Sequence, residues 1–98
     1  MSGITIRPAN QDERSAYLAV SDHDLIVAVD DAGLIVGWCE YAADTIYLIE
    51  SYRRGAGTAM VKSLPHVSRA YYVAPDAQAF WEKLGYRPTP NGDWLCDR

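Results

Sequence analysis

A glycine-rich basic turn, Arg53-Arg54-Gly55-Ala56-Gly57-Thr58, follows a run of β-formers, Thr45-Ile46-Tyr47-Leu48-Ile49, and opens directly into a helical stretch. Gly55 and Gly57 remove side chains where a ligand would meet the backbone. The first amides of a helix have no intrahelical acceptors, and the helix dipole adds about half a positive charge there. Arg53 and Arg54 bring further cation density. Such a turn suits a phosphate or diphosphate. By itself a Gly-x-Gly spacing equally marks an ordinary tight turn, so the surrounding elements must decide.

Those elements must come from a small core. The chain has 98 residues, 49% hydrophobic and 22% charged, the profile of one globular domain over 1–98 and not of a disordered segment. Thirteen acidic residues against nine basic ones give a net charge of −4, which argues against nucleic acid as a partner. The longest apolar runs, residues 25–29 and 34–39, fall far short of the ~20 needed to span a bilayer, so no membrane association is expected. The start has no cationic segment followed by an apolar one, and a cytoplasmic location is the expectation. Cys39 and Cys96 lack metal-ligand spacing and read as reduced, buried thiols; no metal is expected.

Along the chain, residues 4–7 read as a strand stopped by Pro8, and Asn10 caps a helix running to about Val20. The apolar run 25–29 suits a strand covered on both faces, and Asp30-Asp31-Ala32-Gly33 turns it into a second strand, 34–41. Strand 45–49 follows, then the helix that buries Ala56, Met60, Val61 and Leu64 and ends at Pro65. Residues 70–73 make a strand. Pro75-Asp76 starts a helix with Ala77, Phe80, Trp81 and Leu84 on one stripe, Lys83 in its last turn and Gly85 as C-cap. Pro88 and Pro90 give an extended exit, Asn91-Gly92 a turn, and 94–96 a last strand. The order β-α-β-β-β-α-β-α-β defines an α/β (α+β) domain with a mixed, mostly antiparallel sheet and helices packed on it.

The second helix carries Phe80-Trp81-Glu82-Lys83-Leu84-Gly85-Tyr86, and this run resembles the C-terminal signature of the GNAT superfamily of acetyl-coenzyme A-dependent N-acetyltransferases. The Gly turn resembles the same family's pyrophosphate-binding motif. Both stand in the family's order, one strand apart, and residues 45–88 carry the likeness. The resemblance implies a sheet that splays between strands 45–49 and 70–73, with pantetheine along Leu48, Ile49 and Glu50. It implies a pyrophosphate on the amides of Arg54, Gly55, Ala56, Gly57 and Thr58, with Arg53 and Phe80 beside the coenzyme. An oxyanion donor would fall near Ile49 or Glu50.

Departures from the family pattern are as informative. Tyr52 stands where the motif usually opens with Gln or Arg, Ala74 where an Asn is common, and Trp81 where a catalytic Tyr is usual. An indole N–H can donate a hydrogen bond but is no proton source. Thiolate leaves readily, so its loss lowers the rate without excluding transfer. Glu50 is the candidate base and Glu40 a second, although a solvated surface role suits both. Asp22-His23-Asp24 reads as a solvated turn, His66 as a loop residue, Tyr71 and Tyr72 as packing residues of which one could reach the notch, and Trp38 and Trp94 as sheet packing. Only one short helix fits between Arg7 and Leu25, where the family usually has two. The acceptor side is therefore expected to be open to a peptide or exposed amine, or to be completed by a second copy in a homodimer. The resulting expectation is an N-acetyltransferase moving an acetyl group from acetyl-CoA to an amine by direct attack. The alternative is a non-catalytic module that binds CoA or a protein partner, and a third reading leaves the Gly turn as only a turn.

Overall fold

The computed structural model describes residues 3–17 and 22–96. Alternation along the second strand sets the layers. In β2 (Asp24–Val29) every residue from Leu25 to Ala28 is buried. Leu25 and Val27 join Trp38 in a small core on one face, with Ala9 and Tyr17 against it. Ile26 and Ala28 join Cys39, Ile46, Met60, Val61, Trp81 and Tyr86 in the main core on the other. The continuous apolar run is therefore a strand covered on both sides, as its composition required.

Around it lie β1 (Thr5–Pro8), α1 (Gln11–Tyr17), β3 (Ile35–Ala42), β4 (Thr45–Ser51) and α2 (Ala56–Lys62). Then come β5 (Arg69–Ala70), a 3-10 turn (Pro75–Ala77) leading into α3 (Gln78–Lys83), β6 (Tyr86–Pro88) and β7 (Trp94–Cys96). The seven strands form one sheet in the order β1-β2-β3-β4-β5-β7-β6, and only the β4–β5 pair is parallel. The mixed, mostly antiparallel sheet is thus the architecture expected from the sequence. Two details differ. The exit at Tyr86–Pro88 pairs with β7 as a strand, and the strand expected over 70–73 stops at Ala70.

Short local devices hold the elements. Asn10 Oδ1 accepts the Glu13 amide and Glu13 Oε1 accepts the Asn10 amide, both at 2.9 Å, a reciprocal cap that starts α1. The expected continuation of this helix over 18–20 lies outside the described residues. In the β2–β3 hairpin Asp30 Oδ1 accepts the Ala32 and Leu34 amides while Gly33 turns at φ 86°. Gly37 matters for the helix above it: a Cβ there would lie 2.9 Å from both Glu50 O and Met60 Cε. Its absence lets α2 sit directly on β3 and β4.

Among the described residues, no helix is long and apolar enough to cross a membrane, and no group of three or more His, Cys, Asp or Glu side chains could hold a metal ion.

Candidate functional site

The parallel pair β4–β5 is short: its register covers Thr45–Arg69 and Ile46–Ala70, with the Ser68 and Arg69 amides donating to Asp44 O at 2.9 and 3.0 Å and the Tyr71 amide to Ile46 O at 2.8 Å. Beyond it the two strands part. Tyr72 adopts φ 41°, and its amide donates to Asp93 Oδ1 at 2.9 Å instead of to β4. The Val73 amide then donates to Gly92 O at 3.0 Å. Asp93 is buried and also holds Arg69 at 3.0 Å, so one carboxylate fixes the point of departure.

The parting leaves a notch of about 150 Å³ between Ile46–Ile49 on one side and Ala70–Ala74 on the other, floored by Ala77 and Trp81. Its β4 wall offers backbone groups. The Tyr52 amide donates to Val36 O, so by strand alternation Glu50 turns its backbone toward β3 while Ile49 and Ser51 turn theirs to the open side. Leu48 and Ile49 line the notch; Glu50 does not. The Glu50 side chain is exposed, across from Trp38 on the α1 face, which agrees with the solvated role and does not set it at the notch as a base.

From the notch a cleft of about 130 Å³ passes Ile49, Ser51, Gly57, Phe80 and Trp81, and it meets a wider one of about 430 Å³ at the Gly turn. The wider cleft is lined by Ser51, Arg54, Gly55, Gly57, Thr58, Phe80 and Lys83. Arg54, in the turn before α2, and Lys83, at the end of α3, therefore face one hollow, a pairing that Lys83's place as a helix-end residue did not reveal. The amides are used unevenly. The Ala56 amide donates to Arg53 O at 3.0 Å and the Gly57 amide to Ser51 Oγ at 3.2 Å, so these are already engaged, contrary to the expectation that the whole run 54–58 is free. The amides of Arg54, Gly55 and Thr58 have no acceptor among the described residues. Arg53 lies half-buried outside this hollow, its carbonyl accepting from Ala56 and from Ser51 Oγ.

The two glycines serve different ends. Gly55 stands at φ 91° with open space where a Cβ would be, so its value is conformational. A Cβ on Gly57 would lie 3.0 Å from Phe80 Cε1, so Gly57 makes room for that ring. Phe80 in turn meets Trp81 edge-on, with centroids 5.1 Å apart, and Trp81 meets Tyr86 at 4.8 Å. Trp81 is buried and forms a wall of the notch. Tyr52 takes no part here: its hydroxyl accepts from Trp38 Nε1 at 2.9 Å on the opposite face.

The sheet face that packs on α1 carries an arrangement the sequence reading passed over. Glu40, expected to be solvated, is buried at 2% exposure. Its Oε2 meets His23 Nδ1 at 2.6 Å, while Oε1 is buried with no partner. The His23 ring stacks on Tyr47 with centroids 4.4 Å apart, and Tyr47 tilts against Tyr71 at 5.4 Å. Both tyrosines line the notch. The available signal was strand alternation: Glu40 shares a face with Trp38, and a carboxylate on that apolar face requires a partner. Cys39, by contrast, is the inert core thiol expected; burial first and Glu40 second push it up to about 12.

No family model matches the chain, and no curated protein matches it. Among solved structures it is similar to a crystal structure from Exiguobacterium sp. 255-15 described as a candidate acetyltransferase, with a TM-score of 0.60 and 14% identity. The alignment covers 94% of this chain and 90% of that one. At this identity the likeness is one of fold: the splayed sheet with its helices is an acetyltransferase-like architecture.

Proposed function

We propose that the chain is an N-acetyltransferase of the GNAT type, which uses acetyl-CoA and passes the acetyl group to an amine by direct attack. The observation that carries this reading is a row of three neighbouring hollows that share lining residues, running from the notch, past Phe80, to the one flanked by Arg54 and Lys83. Pantetheine would lie along Leu48 and Ile49, and the Ile49 amide would face the thioester oxygen. A fixed donor aimed at developing charge is the main electrostatic aid to acyl transfer. The diphosphate would take the amides of Arg54, Gly55 and Thr58 together with the two cations. The notch lip is open, with Leu48, Tyr71 and Tyr72 half or more exposed, which suits a peptide or other exposed amine.

One observation favours a second reading, a coenzyme-binding module without turnover. Trp81 is packed as a wall where a proton donor would stand. Thermal unfolding with coenzyme A, followed by thiol release from acetyl-CoA with an amine, separates the readings. A rise in Tm with steady, amine-dependent thiol release is the expected result. A rise in Tm with no turnover selects the module, and no rise at millimolar coenzyme A refutes both.

A further inference from the structure

We propose that the exposed aromatic lip of the notch, with Tyr72 as its determining residue, selects an acceptor amine carried beside an aromatic or bulky apolar group; the inference rests on the acetyl-transfer reading above. The two faces of the sheet divide the work. Ala70 is buried in the main core beneath α2, so by strand alternation Tyr71 projects to the other face. There it tilts against Tyr47 with ring centroids 5.4 Å apart. Leu48 stands across from Glu40, which shares the face of Trp38, and so joins the same side. The hollow at the Gly turn is lined by residues of α2 and α3 on the opposite side. A coenzyme running past Phe80 approaches from the helix side, and the Leu48 and Tyr71 side chains are left to the acceptor.

Tyr72 lines the same notch and is 69% exposed, yet its position is fixed. Its backbone stands at φ 41°, and its amide is held by the buried Asp93 carboxylate at 2.9 Å. Its ring lies against Gly92, where a Cβ would come 3.1 Å from Tyr72 Cδ1. A bulky residue at positive φ is strained and persists only where its surroundings impose it. Strain kept at so exposed a ring adds little to the core. What it does is set a second aromatic ring beside Tyr71 at the mouth of the notch.

The chemistry of the lip defines what it takes. None of the described residues lining the notch carries a charge. A polycationic acceptor would find no carboxylate there to replace its water. An aromatic or branched apolar group would instead cover Leu48, Tyr71 and Tyr72, all half or more exposed, and ring pairs add to that burial. Apolar groups gathered at one exposed site mark a place where something docks. An amine one or two carbons from such a group reaches into the notch while the group stays on the lip. A small amine bearing a ring and a peptide with an aromatic first residue share this chemistry.

Thiol release from acetyl-CoA with 2-phenylethylamine, ethylamine and spermidine tests the preference. The parent should use 2-phenylethylamine about 30-fold better than ethylamine in kcat/KM, with spermidine no better than ethylamine. A Phe-Gly-Gly amide against a Gly-Gly-Gly amide asks the same of a peptide, and the larger preference of the two pairs identifies the source. Tyr72→Gly is the informative variant, because glycine suits φ 41° and removes only the ring. It should lower the 2-phenylethylamine to ethylamine ratio about tenfold, through KM of the aromatic acceptor and not KM of acetyl-CoA, with Tm equal to or above the parent's. Tyr72→Phe should restore the ratio. A Tyr72→Gly protein with a lower Tm and an unchanged ratio shows that the ring serves the fold, and overturns the proposal. A parent that uses ethylamine or spermidine as well as 2-phenylethylamine overturns it while leaving acetyl transfer intact. A parent that binds coenzyme A but acetylates none of these acceptors overturns it together with turnover, and no thermal shift with coenzyme A refutes the acetyl-transfer reading itself.

Discussion

Glu13 accepts from both guanidinium nitrogens of Arg7 at 2.8 Å and from the Asn10 amide, and these bonds hold its carboxyl at about 2, against an ordinary 4.5. A carboxyl whose folded value is depressed adds stability above its unfolded value and loses that contribution as the pH falls through the folded one. The urea midpoint should therefore drop between about pH 4.5 and 2, and Glu13→Gln should flatten that limb. Parallel loss in parent and variant would mean that other carboxyls govern acid unfolding. Cys39 shows the opposite influence: burial disfavours its thiolate, so native protein at pH 8 should label at Cys96 and not at Cys39 until it unfolds. Rapid labelling of both thiols would show that the strand opens locally. The inertness of Cys39 was legible from its apolar strand. The Glu40–His23 contact was not, because the residues lie 17 positions apart and only the β2–β3 register brings them together.

At the scale of elements, the hairpin, the strand before the Gly turn and both helices over the main core were legible from periodicity and turn chemistry. The length of β5 was not. Its end is set by Tyr72 at φ 41°, and the group that receives the Tyr72 amide is Asp93, 21 residues on, for which no local pattern exists. Left-handed backbone at a bulky residue is unfavourable by about 1–3 kcal/mol, so surrounding bonds must hold it. Asp93→Ala removes the acceptor for the Tyr72 amide and the partner of Arg69, and hydrogen bonds to a charged group contribute about 1.5–3 kcal/mol. Stability measured in urea should fall by about 2 kcal/mol or more, and the Tyr72 amide should exchange faster with solvent. If that amide keeps its protection, the parting of β4 and β5 has another cause. Gly37 supports the opposite lip of the cleft through α2. Gly37→Ala should destabilise by about 1–3 kcal/mol, because the new methyl meets a backbone oxygen that cannot swing away.

For the whole molecule, a net charge of −4 is unfavourable for a polyanionic ligand, so any coenzyme site has to work by local concentration of charge. Arg54 was visible in the sequence as part of the basic turn. Lys83 was not, since its approach to the same hollow depends on α3 packing beside α2 across the Gly57–Phe80 contact. That contact also makes Gly57 a poor position for a test: a side chain there meets Phe80 and disturbs the fold together with any ligand. Removing charge at the rim avoids this difficulty, because Arg54 and Lys83 are exposed and their ion pairs are absent among the described residues. Coenzyme A at 100 times its Kd should stabilise the parent by about 2.7 kcal/mol, on the order of 10 °C in Tm for a domain of this size. An Arg54→Ala, Lys83→Ala double variant that weakens binding tenfold removes about 1.4 kcal/mol, and so about half of that shift. Its own Tm without ligand should match the parent's. Added salt should diminish the parent's shift more than the variant's, since the exposed cations that salt screens are then already gone. A double variant that responds to coenzyme A as the parent does would show that the phosphates bind away from this hollow, and the path from notch to turn would lose its assigned ligand.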